Sequence, residues 1–220
     1  MTKRIGRPKP SARITVLAGT NGAGKSSVAG EALIQAGMEF FNPDQVALRL
    51  RSLNPSISQL EANSLAWQEG KRLLERAVAE RVDYAFETTL GGRTIVSLLE
   101  EAASKRIELL VWYVGLSSPE LHIARVRARV ARGGHDIPEE KIRERYAQSV
   151  VNLIRLMPSL AQLSVYDNSE EADPHTEKEP RPLLILHFER GKIARLCDPA
   201  QVPEWAKPIV VLALKIAAAK

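Results

Sequence analysis

The chain has 220 residues, 45% hydrophobic and 26% charged, the proportions of an ordinary globular protein of one domain with a core of useful size. Its net charge of +5 lies in the first thirteen residues, where Lys3, Arg4, Arg7, Lys9 and Arg13 meet no acid; removing these from the 31 basic residues leaves 26 against 26 acids. A broad nucleic-acid-binding face is thereby disfavoured, and residues 1–12 read as a disordered basic tail ahead of one domain over 13–220. The single cysteine, Cys197, excludes an internal disulfide. No secretory core segment opens the chain, and its longest apolar run is too short for a bilayer. A soluble cytoplasmic protein without a membrane partner is expected.

In chain order, Arg13 to Ala18 reads as a short buried strand. It runs into Gly19-Thr20-Asn21-Gly22-Ala23-Gly24-Lys25-Ser26, which fits G-x-x-x-x-G-K-[ST] at every fixed position. Ser27 to Gln35 reads as the helix that follows, with Gly37 closing it. Gly22 and Gly24 let backbone N–H groups curl around an anion, and the helix start adds its own N–H groups and dipole. Lys25 supplies a positive charge for the outer phosphates, and Ser26 a hydroxyl for Mg²⁺. The cofactors expected are therefore ATP and Mg²⁺, with Asn21 to Ser27 as their seat.

Met38 to Asn42 is a candidate second strand ending at Pro43-Asp44, followed by a helix from Gln45 to Arg51. Ser58 and Glu61 have capping-box spacing, which starts a long helix to Val82. Tyr84 to Phe86 is a third strand, leading into Glu87-Thr88-Thr89-Leu90-Gly91-Gly92. Arg93 to Ser104 is a helix. Glu108 to Leu116 is a nearly continuous apolar run, as in a central parallel strand. Pro119 opens a helix to about Ala131, and Glu139 to Leu156 is another. Ser164 to Tyr166 is a fifth strand ending in Asp167-Asn168. Residues 170–181 read as a flexible loop. Leu183 to Phe188 and Ile193 to Cys197 form a hairpin about Arg190-Gly191, and Trp205 with Ile209 to Ala219 gives a closing helix. The fold class is α/β: a P-loop NTPase fold with a parallel sheet of about five strands flanked by helices, plus a C-terminal hairpin and helix.

In such sheets ligands bind beyond the C-terminal strand ends. That rule brings Asp44, Glu87, Thr89 and Asp167 to one edge with the phosphate loop. Asp44 suits a base for an acceptor hydroxyl, and equally an N-cap for the helix at Gln45. Glu87 sits where a strand should still be apolar, so it needs a metal, a donor or an arginine partner. Arg125, Arg129 and Arg132 fall at i, i+4, i+7, with Arg127 beside them. They suit a lid that clamps phosphate, with Gly133 and Gly134 letting it close. No carboxylate ends the Leu109–Val114 strand, where many ATPases carry one. That argues against a motor or an AAA-type ATPase.

The ordered set Ala18–Ser26, Phe41–Asp44, Phe86–Leu90, Arg132–Glu139 and Val165–Ser169 resembles the zeta-toxin family of P-loop kinases, the short Gram-negative branch most of all. The likeness spans about residues 13 to 170. It implies transfer of the ATP γ-phosphate to a small-molecule hydroxyl, in that family the 3′-hydroxyl of the amino sugar of UDP-N-acetylglucosamine. It further implies Asp44 as base, Lys25 and Ser26 as ATP and Mg²⁺ residues, and Glu87 and Thr89 as substrate contacts. Arg125 and Arg132, with Arg127 or Arg129 as stand-ins for Arg125, are the implied phosphate-binding arginines, and Asp167-Asn168 lies near the adenine. An antitoxin protein is the implied partner. Two other classes remain open: a nucleic-acid end kinase or repair ATPase, and a nucleotide-dependent switch without turnover.

Overall fold

The computed structural model describes residues 12–30, 39–134, 136–170 and 181–219. The basic tail, most of the 170–181 loop and the Gln35–Gly37 end of the first helix lie outside the described residues. The strands are β1 (Arg13–Ala18), β2 (Tyr84–Thr88), β3 (Glu108–Gly115), β4 (Gln162–Asp167), β5 (Leu183–Glu189) and β6 (Lys192–Leu196). The helices are α1 (Pro43–Leu53), α2 (Gln59–Glu80), α3 (Arg93–Ser104), α4 (Pro119–Val130), α5 (Glu139–Leu156) and α6 (Lys207–Ala218). One six-stranded sheet runs β2-β1-β3-β4-β5-β6. Its first four strands are parallel and the last two antiparallel. This is the α/β P-loop architecture, with the hairpin built into the sheet itself.

β1 is paired on both sides, and Ile14, Val16, Leu17 and Ala18 are all buried. Consecutive residues of a strand face opposite ways, so both faces are covered, which is why β1 reads as an unbroken apolar run. The starts of α2 and α4 are set by side chains. Ser58 and Glu61 form a reciprocal capping box on α2, and Ser118 caps α4 with Pro119 in its first turn. The main core joins Val16, Val111, Leu163 and Ile185 of the sheet to Leu74, Leu99, Leu153 and Ile209 of the helices.

Two expectations change. The second strand shrinks to a single bridge, where Phe41 pairs in parallel with Phe86 through two 2.8 Å backbone bonds. Asn42-Pro43 stops it there, because the Asn42 side chain turns back to cap α1. The first helix begins as a π-helical turn over Ser26–Gly30. The closing helix packs back on the sheet as expected. Trp205 lies over Gly115 and beside the Tyr113 ring, and its indole N–H donates to Asp167 Oδ1 at 3.1 Å.

Trp205 is 9% exposed and anchors the C-terminal segment to the strand ends beneath the site. Trp205→Ala is expected to lower unfolding free energy by about 3–5 kcal/mol in urea titrations. A loss below about 1 kcal/mol would mean that the segment is held elsewhere.

Candidate active site

The loop after β1 is built by two left-handed glycines. Gly22 has φ 84° and Gly24 φ 80°. A Cβ on Gly22 would stand 2.7 Å from the His122 carbonyl oxygen, and one on Gly24 would stand 2.6 Å from Asn168 Nδ2. Both positions thus demand glycine for conformation and for space. Asn168 Nδ2 also donates to the Ala23 carbonyl at 2.9 Å, so the residue after β4 closes one wall of the loop. Asp167 is already engaged, accepting from Ser169 Oγ and Trp205.

Glu87, at the end of β2, joins the pieces. Its carboxylate accepts from Ser26 Oγ at 2.8 Å and from Asn42 Nδ2 at 2.9 Å, and lies 3.4 Å from Lys25 Nζ. The Lys25 and Glu87 side chains are 6% and 11% exposed, so the pair is largely shielded from water. Lys25 Nζ also reaches the Thr20 carbonyl at 3.4 Å. A buried carboxylate with a cation and two neutral donors is well compensated, which accounts for an acid at a strand end. β2 is the strand paired with β1 on the side away from β3. The acidic partner of the loop serine thus stands at the end of β2, where the argument from the β3 end did not look for it.

Asn42 Oδ1 accepts from the N–H groups of Asp44 and Gln45, so Asn42 is the cap of α1. Asp44 is therefore not the cap of α1. It is a first-turn residue whose carboxylate faces Arg129, Nη1 to Oδ2 3.6 Å, at about two-fifths exposure. Gly134 makes that approach possible, because a Cβ there would strike the Arg129 side chain at 2.6 Å. Gly134 is thus packed against the arginine it was expected to hinge, while Gly133, at φ 91°, has open space around it.

The other arginines are placed differently. Arg125 Nη2 donates to the Glu170 carbonyl at 3.2 Å, Arg127 pairs with Glu139 on the surface, and Arg132 Nε bonds back to the Ala128 carbonyl. α4 ends at Val130, so Arg132 leaves the face it was expected to share. Thr89 Oγ1 accepts from Gly91 N at 3.4 Å, and the Thr89 and Leu90 carbonyls are held by Ser149 Oγ and Asn152 Nδ2 of α5 at 2.7 Å.

Three residues escaped the sequence reading. Asn42 carried an N-cap signal, Asn before Pro, that was absorbed into a strand. Arg145 donates from Nη1 to Asn21 Oδ1 at 2.7 Å. Burial pushes its pKa down, and Asp44 and Glu144 oppose that. Its signal was the i, i+4, i+7 spacing of Arg145, Ser149 and Asn152, which puts the polar stripe of α5 toward the site. His122, 1% exposed, donates from Nδ1–H to the Asn21 carbonyl at 2.8 Å. Nothing local distinguishes it from a core histidine.

Ser26 Oγ and the Glu87 carboxylate are hard oxygen donors beside the phosphate cradle. They suit Mg²⁺, which takes one or two protein ligands and completes its shell with phosphate and water. Among the described residues no group of three or more His, Cys, Asp or Glu is arranged to hold a metal, and this mode needs none. Among the same residues no helix is long and apolar enough to cross a membrane.

Residues 14–149 match the AAA domain family, which corrects the expectation drawn from the β3 strand end: the acid beside the loop stands on β2 instead, as Glu87. An uncharacterized protein of Haemophilus influenzae is 28% identical over 129 residues, 58% of this chain and 88% of that protein. Among solved structures, the AvrRxo1-ORF1:-ORF2 complex with ATP has a chain similar at TM-score 0.65 and 14% identity, over 92% of this chain and 64% of that one. The present chain therefore spans less than two thirds of that neighbour. A chain of the PezAT chromosomal toxin-antitoxin system of Streptococcus pneumoniae matches at TM-score 0.52 and 16% identity, over 81% and 78%. These structural likenesses show a shared P-loop fold.

His122 gives the site a pH signature. Burial, with Lys25 from the loop and Arg125 on the same helix, pushes its pKa down to about 4, against the weaker pull of the Asn21 carbonyl. The Tyr146 ring meets it edge-on from α5. The unfolded chain binds this proton below about pH 6.5 and the folded chain only below about pH 4, so stability falls as pH drops through that window. Urea unfolding at pH 7 and pH 4.5 should show wild type losing on the order of 2 kcal/mol more than His122→Asn. Equal losses would place the imidazole in a wetter setting.

Proposed function

The chain belongs to the AAA domain family, and from that premise we propose that it is an ATP-dependent phosphotransferase acting on a small-molecule hydroxyl. The observation that carries the reading is the two-sided site. Lys25, Ser26 and Glu87 make a donor half, and Asp44 with Arg129 and Arg145 makes an acceptor half.

In this reading the loop N–H groups and Lys25 hold the β- and γ-phosphates. Ser26 Oγ and Glu87 would hold Mg²⁺, which would supply positive charge to offset that of the phosphates. Lys25 exchanges its bond to Glu87 for phosphate oxygens, which leaves the carboxylate to face the cation. Asp44 orients the acceptor hydroxyl and takes its proton. The acceptor oxygen bonds to the γ-phosphorus as the bond to the β-bridging oxygen breaks, and ADP leaves with that electron pair. Arg129 and Arg145 offset the charge on the moving phosphoryl group. Arg125 and Arg132 join them only if the helix exit rearranges, and Thr89 contributes to the acceptor wall. Asn168 lies beside the loop on the side expected for the nucleoside.

The finer reading, a zeta-toxin-type kinase of UDP-N-acetylglucosamine, is supported by the five-motif resemblance and by the fold shared with a toxin-antitoxin chain. A neutralising partner protein is the companion it calls for, as the two-component AvrRxo1-ORF1:-ORF2 and PezAT assemblies suggest by their names.

The test is to incubate the protein with Mg²⁺, ATP and UDP-N-acetylglucosamine, beside a panel of simple sugars and nucleosides, reading ADP and phosphorylated product. Asp44→Asn should cut turnover by about 10²–10⁴ and leave ATP binding intact. Lys25→Ala should weaken both. An Asp44→Asn variant with wild-type turnover would sink the mechanism, and turnover on another acceptor alone would sink the nucleotide-sugar assignment.

A further inference from the structure

Asn21 is gripped by two helices at once. Its backbone carbonyl takes the His122 Nδ1–H at 2.8 Å from α4, and its side-chain oxygen takes Arg145 Nη1 at 2.7 Å from α5. Asn21 is 7% exposed and His122 still less, so bulk water is a poor substitute for either bond. The imidazole is itself held, edge-on to Tyr146 with ring centres 5.5 Å apart, and Tyr146 donates its hydroxyl to the Ser117 carbonyl. The Gly22 backbone runs so close to His122 that a Cβ there would stand 2.7 Å from the His122 carbonyl oxygen.

The consequence lies in one peptide plane. A trans peptide points its C=O and N–H in opposite directions. Fixing the Asn21 carbonyl against α4 therefore aims the Gly22 N–H away from α4. An unheld peptide here, next to a glycine of free φ, would be able to flip and turn that donor inward. We propose that His122 is a positioning residue that holds the Asn21–Gly22 peptide, and hence the phosphate loop, in its anion-binding form. The arm that carries Arg129 and Arg145 is thereby coupled to nucleotide binding. Because α4 and α5 supply both the grips on Asn21 and the cations facing Asp44, the arm and the loop move as one unit. This rests on the nucleotide-binding reading above.

The experiment compares His122→Asn, His122→Gln and His122→Leu with wild type. Asn places an amide N–H near the Nδ1 position, Gln places one near Nε2, and Leu supplies none. Binding of Mg·ATP is measured by calorimetry, alongside thermal unfolding. Leu and Gln should weaken ATP binding by about tenfold or more, the cost of an unmet buried carbonyl, while Asn restores most of it. Two-dimensional nitrogen NMR of wild type at pH 7 should show neutral His122 protonated on Nδ1. Wild-type affinity in the Leu variant, equal losses in Asn and Leu, or an Nε2–H tautomer would each overturn the proposal while leaving ATP binding in place. A wild-type chain that does not bind Mg·ATP overturns the nucleotide reading and the proposal together.

Discussion

A single carboxylate holds the site in register. Glu87 ends β2, yet it bonds to Ser26 of the phosphate loop and to Asn42 at the head of α1, and stands in ion-pair reach of Lys25. Three segments far apart in sequence meet on two oxygen atoms. Charge this shielded from water is costly when its partners are lost, so the three contacts depend on one another. Asn42 shows how tightly the arrangement is shared. One end of its amide serves Glu87, and the other starts the helix that displays Asp44. The donor and acceptor halves are thus placed by the same few bonds.

A second constraint comes from the opposite wall. α4 and α5 do not simply flank the sheet. They carry buried polar groups, His122, Ser149 and Asn152, each spent on a backbone carbonyl of a site loop. These bonds tie the site loops to helices of the scaffold. The acceptor side is therefore framed by fixed backbone, with the exposed ends of Asp44 and Arg129 as its adaptable parts. In the proposed phosphotransferase, selectivity for a substrate would belong to those exposed groups and to their neighbours.

Much of this was legible in the chain. The phosphate loop declares itself because its glycines and lysine are fixed by anion geometry. α3, α5 and the capping box of α2 follow from period and cap chemistry, and they agree with the structure almost to the residue. What was not legible was relational. Asn42 has two roles, and a strand reading hid both. Arg145 is one of several arginines near it in sequence, and only the packing of α5 picks it out. The arginine row of α4 read as one face, but the helix stops at Val130 and sends Arg132 away. Helix length, set by tertiary packing and by the Gly133-Gly134 turn, decided what periodicity alone proposed.

The tie between Trp205, Asp167 and Gly115 bears on where this unit can be divided. The match to the family model stops at residue 149, in the middle of α5. The sheet does not stop there: β4 lies alongside β3, β5 alongside β4, and the last helix closes over Tyr113. A fragment cut at that limit would split α5, strip Asn152 from the Leu90 carbonyl and leave one edge of β3 unpaired. The boundary of what is shared with relatives and the boundary of what folds cooperatively are different lines on this chain. The part beyond residue 149 completes the sheet on which the matched part is built.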